Sequence, residues 1–157
     1  MSDRVNQLEK EGDIAADYLE GLLDIADLDG DIDMDVENDR AMVSIVGADL
    51  NELVGDKGKV LDAIQELTRL AVTRETGERS RLMLDISGYR VAARERLIKI
   101  GQDAAKKALQ SGEAVELKPM SAFERKIVHD AVNEAGAVSA SEGEEPKRRI
   151  VVHPAKP

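Results

Sequence analysis

The sequence contains no cysteine and no tryptophan, and aromatic residues make up 2% of it. Without cysteine there is neither a disulfide framework nor a thiolate metal site. Tyr18, Tyr89 and Phe123 are the whole aromatic complement, so a platform on which successive bases stack is excluded unless all three converge. No run of about 18 apolar residues occurs, and Met1-Ser2-Asp3-Arg4-Val5 lacks the apolar centre of a signal peptide. The expectation is a soluble, cytoplasmic protein without membrane insertion.

Catalytic chemistry is equally thinly provided. His129 and His153 are the only histidines, and no G-x-S-x-G is present. Gly58-Lys59 hints at a nucleotide-binding P-loop. The upstream glycine position of that motif is Leu53 and its Ser/Thr position is Val60, so the motif is broken. No enzyme activity, catalytic residue, cofactor or metal site is expected.

What the chain has in excess is acid. The formal net charge is −10, yet residues 1–40 hold fourteen of the 32 acidic residues against Arg4, Lys10 and Arg40. The remainder is close to balanced. Because physiological salt screens beyond about 8 Å, an acidic segment away from a basic groove need not cancel it. The alternating carboxylates at Asp27, Asp29, Asp31, Asp33 and Asp35 do not make an EF-hand calcium loop. The positions that need Gly and Glu hold Ile32 and Asn38 in one frame, Met34 and Arg40 in the next.

The stretch that carries chemistry is Leu53-Val54-Gly55-Asp56-Lys57-Gly58-Lys59-Val60-Leu61. Two glycines bracket two polar residues, so the backbone can turn sharply and approach another chain closely. A following helix N-terminus offers N–H donors and partial positive charge to phosphate, and Lys57 and Lys59 add charge there. Over residues 58–77, Val60, Leu61, Ile64, Leu67 and Ala71 keep helical spacing, while Lys59, Asp62, Gln65, Glu66 and Arg69 fill the other face.

Around this turn the pattern predicts a helix over 4–28, a strand at 31–37, a turn at Asn38-Asp39 and a strand at 41–46. A short helix at 50–54, capped by Asp49, follows, and after the long helix a third strand at 81–86. A further helix at 89–111 carries Arg90, Arg94, Arg96, Lys99, Lys106 and Lys107. The order helix, strand, strand, helix, G-x-x-G, helix, strand resembles the type II KH domain. That resemblance implies a groove clamping about four nucleotides of single-stranded RNA or DNA, contacted by Gly55, Asp56, Lys57, Gly58 and Lys59. Asp56 stands where the family often has a base.

The C-terminal third adds a short strand at 114–117 and the capping box Ser121-Ala122-Phe123-Glu124. The helix it opens places Arg125 and His129 on one face, with Ile127, Val128, Ala131 and Val132 facing a core. An arginine fork matches a phosphate and a histidine adds an N–H. On spacing alone a surface arginine and a core histidine explain the pair equally. Residues 119–152, with the Ser141-Glu142-Gly143-Glu144-Glu145-Pro146 loop and a basic last strand, resemble the Arg-x-x-x-His single-strand-binding domain of the bacterial Jag family, also called KhpB or EloR. Asp85-Ile86-Ser87-Gly88-Tyr89-Arg90 is similar to that family's junction.

The resemblance implies an α+β protein: an acidic N-terminal helix at 1–29 packing on a type II KH domain (α-β-β-α-α-β) at 30–88. A connecting helix at 89–111 joins it to a small α/β Arg-x-x-x-His domain at 112–154. Arg125, His129, Arg148 and Arg149 are its expected nucleic-acid contacts. It implies non-catalytic binding of single-stranded RNA, with single-stranded DNA open, and an RNA chaperone or regulator affecting cell elongation, division or envelope growth. The alternative is a protein adaptor pairing with a small KH protein. Many family members carry a further N-terminal domain and charged linker, where only an acidic helix precedes the KH pattern here.

Overall fold

The computed structural model describes residues 3–154. Contacts divide the chain into two compact units on either side of the Arg90–Val91 bond.

The first unit contains α1 (Asp3–Ala26), β1 (Asp31–Glu37), β2 (Arg40–Val46), α2 (Asn51–Val54), α3 (Lys59–Thr76) and β3 (Met83–Ile86). The three strands form one sheet in the order β1-β2-β3, with β1 antiparallel and β3 parallel to β2. Asn38 and Asp39 both take positive φ, 51° and 58°, the twist that a two-residue hairpin needs. The carboxylates of Asp31, Asp33, Asp35 and Glu37 are all exposed. This agrees with a strand whose acidic side faces water.

Ala15, Leu19 and Leu23 of α1, Val43 and Ile45 of β2, Leu61, Ile64 and Val72 of α3, and Leu82, Leu84 and Ile86 around β3 make the first core. Truncating one of the fully buried leucines to Ala costs about 2–5 kcal/mol in such a setting. The inward face of α3 differs from the one read off its sequence. Leu61, Ile64, Thr68 and Val72 are buried, whereas Val60, Leu67 and Leu70 are 39%, 49% and 63% exposed. Thr68 can lie inward because its hydroxyl donates to the Ile64 carbonyl at 2.7 Å. Asp49 does not cap α2 either; it takes φ 65°, and Leu50 sits at the N-cap without a side-chain bond.

The second unit draws on α4 (Tyr89–Ser111), β4 (Val115–Glu116), α5 (Ala122–Glu134), β5 (Val138–Glu142) and β6 (Arg149–His153). Its sheet runs β4-β6-β5, antiparallel throughout. Leu97, Ala104, Ala105 and Ala108 of α4 share a core with Ile127, Val128 and Val132 of α5 and with Ile150 and Val152 of β6. Most of α4 is therefore a wall of the second unit. Where it meets α5, a Cβ on Gly101 would lie 2.9 Å from Ala131 Cβ and 3.0 Å from the Val128 carbonyl oxygen. The α5 start is fixed as its sequence predicts: Ser121 Oγ accepts from Glu124 N–H, and Glu124 accepts from Ser121 N–H.

Candidate nucleic-acid interface

In the first unit the glycine turn joins α2 to α3. Gly55 takes φ 72° and Gly58 φ 74°, with Lys57 between them also left-handed at 55°. Both glycines are needed for space as well as for φ. A Cβ at Gly55 would lie 2.4 Å from Val60 Cγ2, and one at Gly58 would lie 2.6 Å from Tyr89 Cε1. Asp56, Lys57 and Lys59 are exposed, and none of their side chains bonds another described residue.

The supply of backbone donors is smaller than the motif suggests. Gly58 N–H donates to Gly55 O at 3.3 Å, and Lys59 N–H to Asp56 O. No side chain caps α3, so the N–H groups of its first turn beyond Lys59 stay open to a ligand, as at any uncapped helix start. Two lysines project beside them.

Next to the turn, the outer edge of β3 is occupied from within. Gln65 Oε1 accepts from Leu84 N–H at 3.0 Å, Arg90 Nε donates to Leu84 O at 2.6 Å, and Arg69 Nε donates to Leu82 O at 2.8 Å. Arg90 also pairs with Asp62 at 3.0 Å. Its backbone N–H donates to Asp85 Oδ1, which ties the 85–90 junction together. Sequence reading placed Arg90 among the solvent-facing bases of α4; the structure uses it as a brace. Arg94, Arg96, Lys99, Lys106 and Lys107 are exposed.

In the second unit the Arg125 and His129 pair does not present two free groups. Arg125 is 7% exposed. Its Nη1 donates to Met120 O at 2.6 Å and its Nη2 to Glu145 Oε1 at 2.9 Å. The fork expected to meet phosphate therefore already holds a carboxylate. His129 is half-buried between two hydroxyls of β5, with Nδ1 2.5 Å from Ser139 Oγ and Nε2 2.9 Å from Ser141 Oγ. Burial first, and then the Arg125 charge, push the imidazole below its ordinary pKa, partly countered by Asp130. It is neutral at pH 7, so one ring nitrogen donates and the other accepts.

The two arginines of the last strand are also engaged. Arg148 Nη1 donates to Gly143 O at 2.8 Å, and Arg149 Nε faces Glu116 across β4 and β6. Sequence reading missed Ser139, Ser141 and Glu145 as members of this site. The alternation Ser139-Ala140-Ser141 on a strand was the available signal, since it sends both hydroxyls to one face.

Residues 95–154 match the family model of the Arg-x-x-x-His domain. Over 152 residues the chain is 32% identical to the RNA-binding protein KhpB of Clostridium symbiosum, covering 95% of this chain and 68% of that protein. The chain belongs to the KhpB family. It is also similar to the KhpB proteins of Bacillus subtilis, 31% identical over 66% of this chain, and of Lactiplantibacillus plantarum, 28% identical over 87%. It spans 51% and 42% of the lengths of those two KhpB relatives. No helix among the described residues is long and apolar enough to cross a membrane.

Proposed function

We propose that the chain is a non-catalytic, cytoplasmic, single-stranded RNA-binding protein with two linked readers. The first is a type II KH module at residues 30–88, the second an Arg-x-x-x-His module at 112–154, with α1 packed on the former and α4 leading into the latter. The observation that carries this reading is the Gly55–Gly58 turn. Three successive features, two left-handed glycines, exposed Lys57 and Lys59, and an uncapped helix start, converge on one anion-sized site. The sheet order β1-β2-β3 and the relatives' name of RNA-binding protein support it. Tyr18 and Tyr89 pack on the first core, which favours backbone gripping over base stacking there.

Two weak sites on one chain raise the local concentration for the second contact, so the pair binds usefully where either alone is weak. In this reading Gly55, Lys57, Gly58 and Lys59 hold the sugar-phosphate backbone, and Arg125, His129, Arg148 and Arg149 form the second contact face. An RNA chaperone or post-transcriptional role in cell elongation, division or envelope growth is the output that fits. Single-stranded DNA differs chiefly by lacking the 2′-hydroxyl.

The test is binding of labelled single-stranded RNA, single-stranded DNA and duplex across a salt series. The proteins are wild type, Lys57→Asp, and Arg125→Lys with His129→Gln, which keeps a charge and loses the fork. Affinity is expected to fall by roughly 0.7 log units per neutralised phosphate per decade of salt, and both variants are expected to weaken it. Absence of single-strand binding by the wild type at low salt overturns the reading.

The exposed stripe of α3 favours a second reading, pairing with a small KH protein. Val60, Leu67 and Leu70 lie on one side of the helix outside the core, and such a stripe suits a helix-to-helix contact. Co-purification from cells with and without ribonuclease, for wild type and Leu67→Glu, separates a protein contact from an RNA bridge.

A further inference from the structure

The loop between β5 and β6 carries Gly143-Glu144-Glu145-Pro146-Lys147-Arg148. Lys147 N–H closes it on Glu144 O at 2.8 Å, and Arg148 closes it on Gly143 O. From this loop Glu145 reaches Arg125. The two partners are unequal. The Arg125 side chain is 9% exposed, whereas that of Glu145 is 59% exposed.

A guanidinium fork accepts carboxylate and phosphate in the same planar geometry. Arg125 is fixed by the Met120 carbonyl on one side, so its other edge is a prepared anion seat. A buried guanidinium without an anion is costly, and Glu145 removes that cost in the free protein. Its own carboxylate, mostly in water, loses little on leaving. His129, one helical turn further on, and the Ser139 and Ser141 hydroxyls bonded to it lie on the same side of the unit's chemistry.

We propose that Glu145 is a resident substitute for an RNA phosphate on Arg125, displaced when the strand binds and therefore a determinant of affinity at the second reader. The inference rests on the reading of that unit as a phosphate-contacting module. It explains how a buried arginine can serve a ligand: the seat is kept filled until a phosphate exchanges for the carboxylate. Ligands that bring one weak charge do not displace Glu145, whereas a strand held elsewhere on the chain delivers its phosphate at high local concentration.

The test is oligoribonucleotide binding by the full chain as wild type, Glu145→Gln and Glu144→Gln, each also in an Arg125→Ala background. Both glutamines remove one negative charge, but only Glu145 touches Arg125. Glu145→Gln is expected to tighten binding by about fivefold to tenfold, Glu144→Gln by less than about twofold, and the difference is expected to vanish in Arg125→Ala. Equal effects of the two glutamines, or weaker binding by Glu145→Gln, overturn the inference while leaving RNA binding intact. Absence of RNA binding in every protein overturns the functional reading and this inference together. If Glu145→Gln lowers the melting temperature, Glu145→Asp carries the test: it keeps the charge, breaks the 2.9 Å contact by one methylene, and must still tighten binding.

Discussion

The ring of Tyr89 lies against Gly58, so close that a Cβ on that glycine would come within 2.6 Å of Tyr89 Cε1. The first residue of α4 thus underpins the glycine turn thirty-one positions earlier. Gly58 also needs φ 74°, and the ring is packed on the first core, so it cannot swing away freely. Gly58→Ala is expected to cost about 2–4 kcal/mol, the sum of left-handed strain and crowding. In a Tyr89→Ala background the same substitution is expected to cost about 1–2 kcal/mol, the strain alone. Urea unfolding of the four proteins measures the difference. Equal costs in the two backgrounds would mean the ring does not brace the turn.

Lys57 separates backbone from charge. It is left-handed at φ 55° and exposed, so glycine fits its backbone better and its charge not at all. Lys57→Gly is expected to leave stability unchanged or raise it by about 0.5 kcal/mol, since relief of strain and the entropy of glycine oppose each other. RNA affinity is expected to fall, and the salt slope to shrink by roughly 0.7. An unchanged slope would remove Lys57 from the contact.

His129 makes the second unit sensitive to acid. Its pKa is depressed in the fold, chiefly by burial and then by the Arg125 charge. The unfolded chain, with a histidine of about 6.5, therefore binds the proton first. Stability is complete above that value and declines as pH falls toward the folded pKa. Melting between pH 7.5 and pH 5.5 is expected to show a drop that His129→Gln flattens. A second transition as steep in the variant as in wild type would assign the loss to other groups.

Gly101 sets how closely α4 and α5 approach. Its added Cβ would press on Ala131 and on the Val128 carbonyl, a backbone atom that cannot rotate aside. Gly101→Ala gains helix propensity and still is expected to lose about 1–2 kcal/mol net. Ala131→Gly should recover part of it in denaturant melts.

Much of the architecture is legible in local patterns. The strict alternation of β1, the Ser121 capping box and the buried Ile127, Val128, Ala131 and Val132 follow from residues within one or two turns of each other. What the sequence hides is set by distant partners. On α3 two apolar stripes compete, and the core selects the one containing Thr68, because Thr68 satisfies its hydroxyl on its own helix. Glu11 is buried against Ser80, 69 residues away, at 2.7 Å, and no local signal marks either. The Arg-x-x-x-His spacing correctly joins Arg125 and His129 on one helix face. It does not reveal that Glu145, twenty residues on, occupies the arginine.

Both rims of the first sheet are closed to self-association, by different means. At β3 the side chains of Gln65, Arg69 and Arg90 take up the backbone groups that a visiting strand would need. At β1, four carboxylates in seven residues would be brought against four more by a second copy, and like charges on a shared edge repel. The acidity gathered near the start of the chain thus acts as an electrostatic fence. It keeps a protein meant to hold an extended polymer from stacking, sheet on sheet, into one of its own.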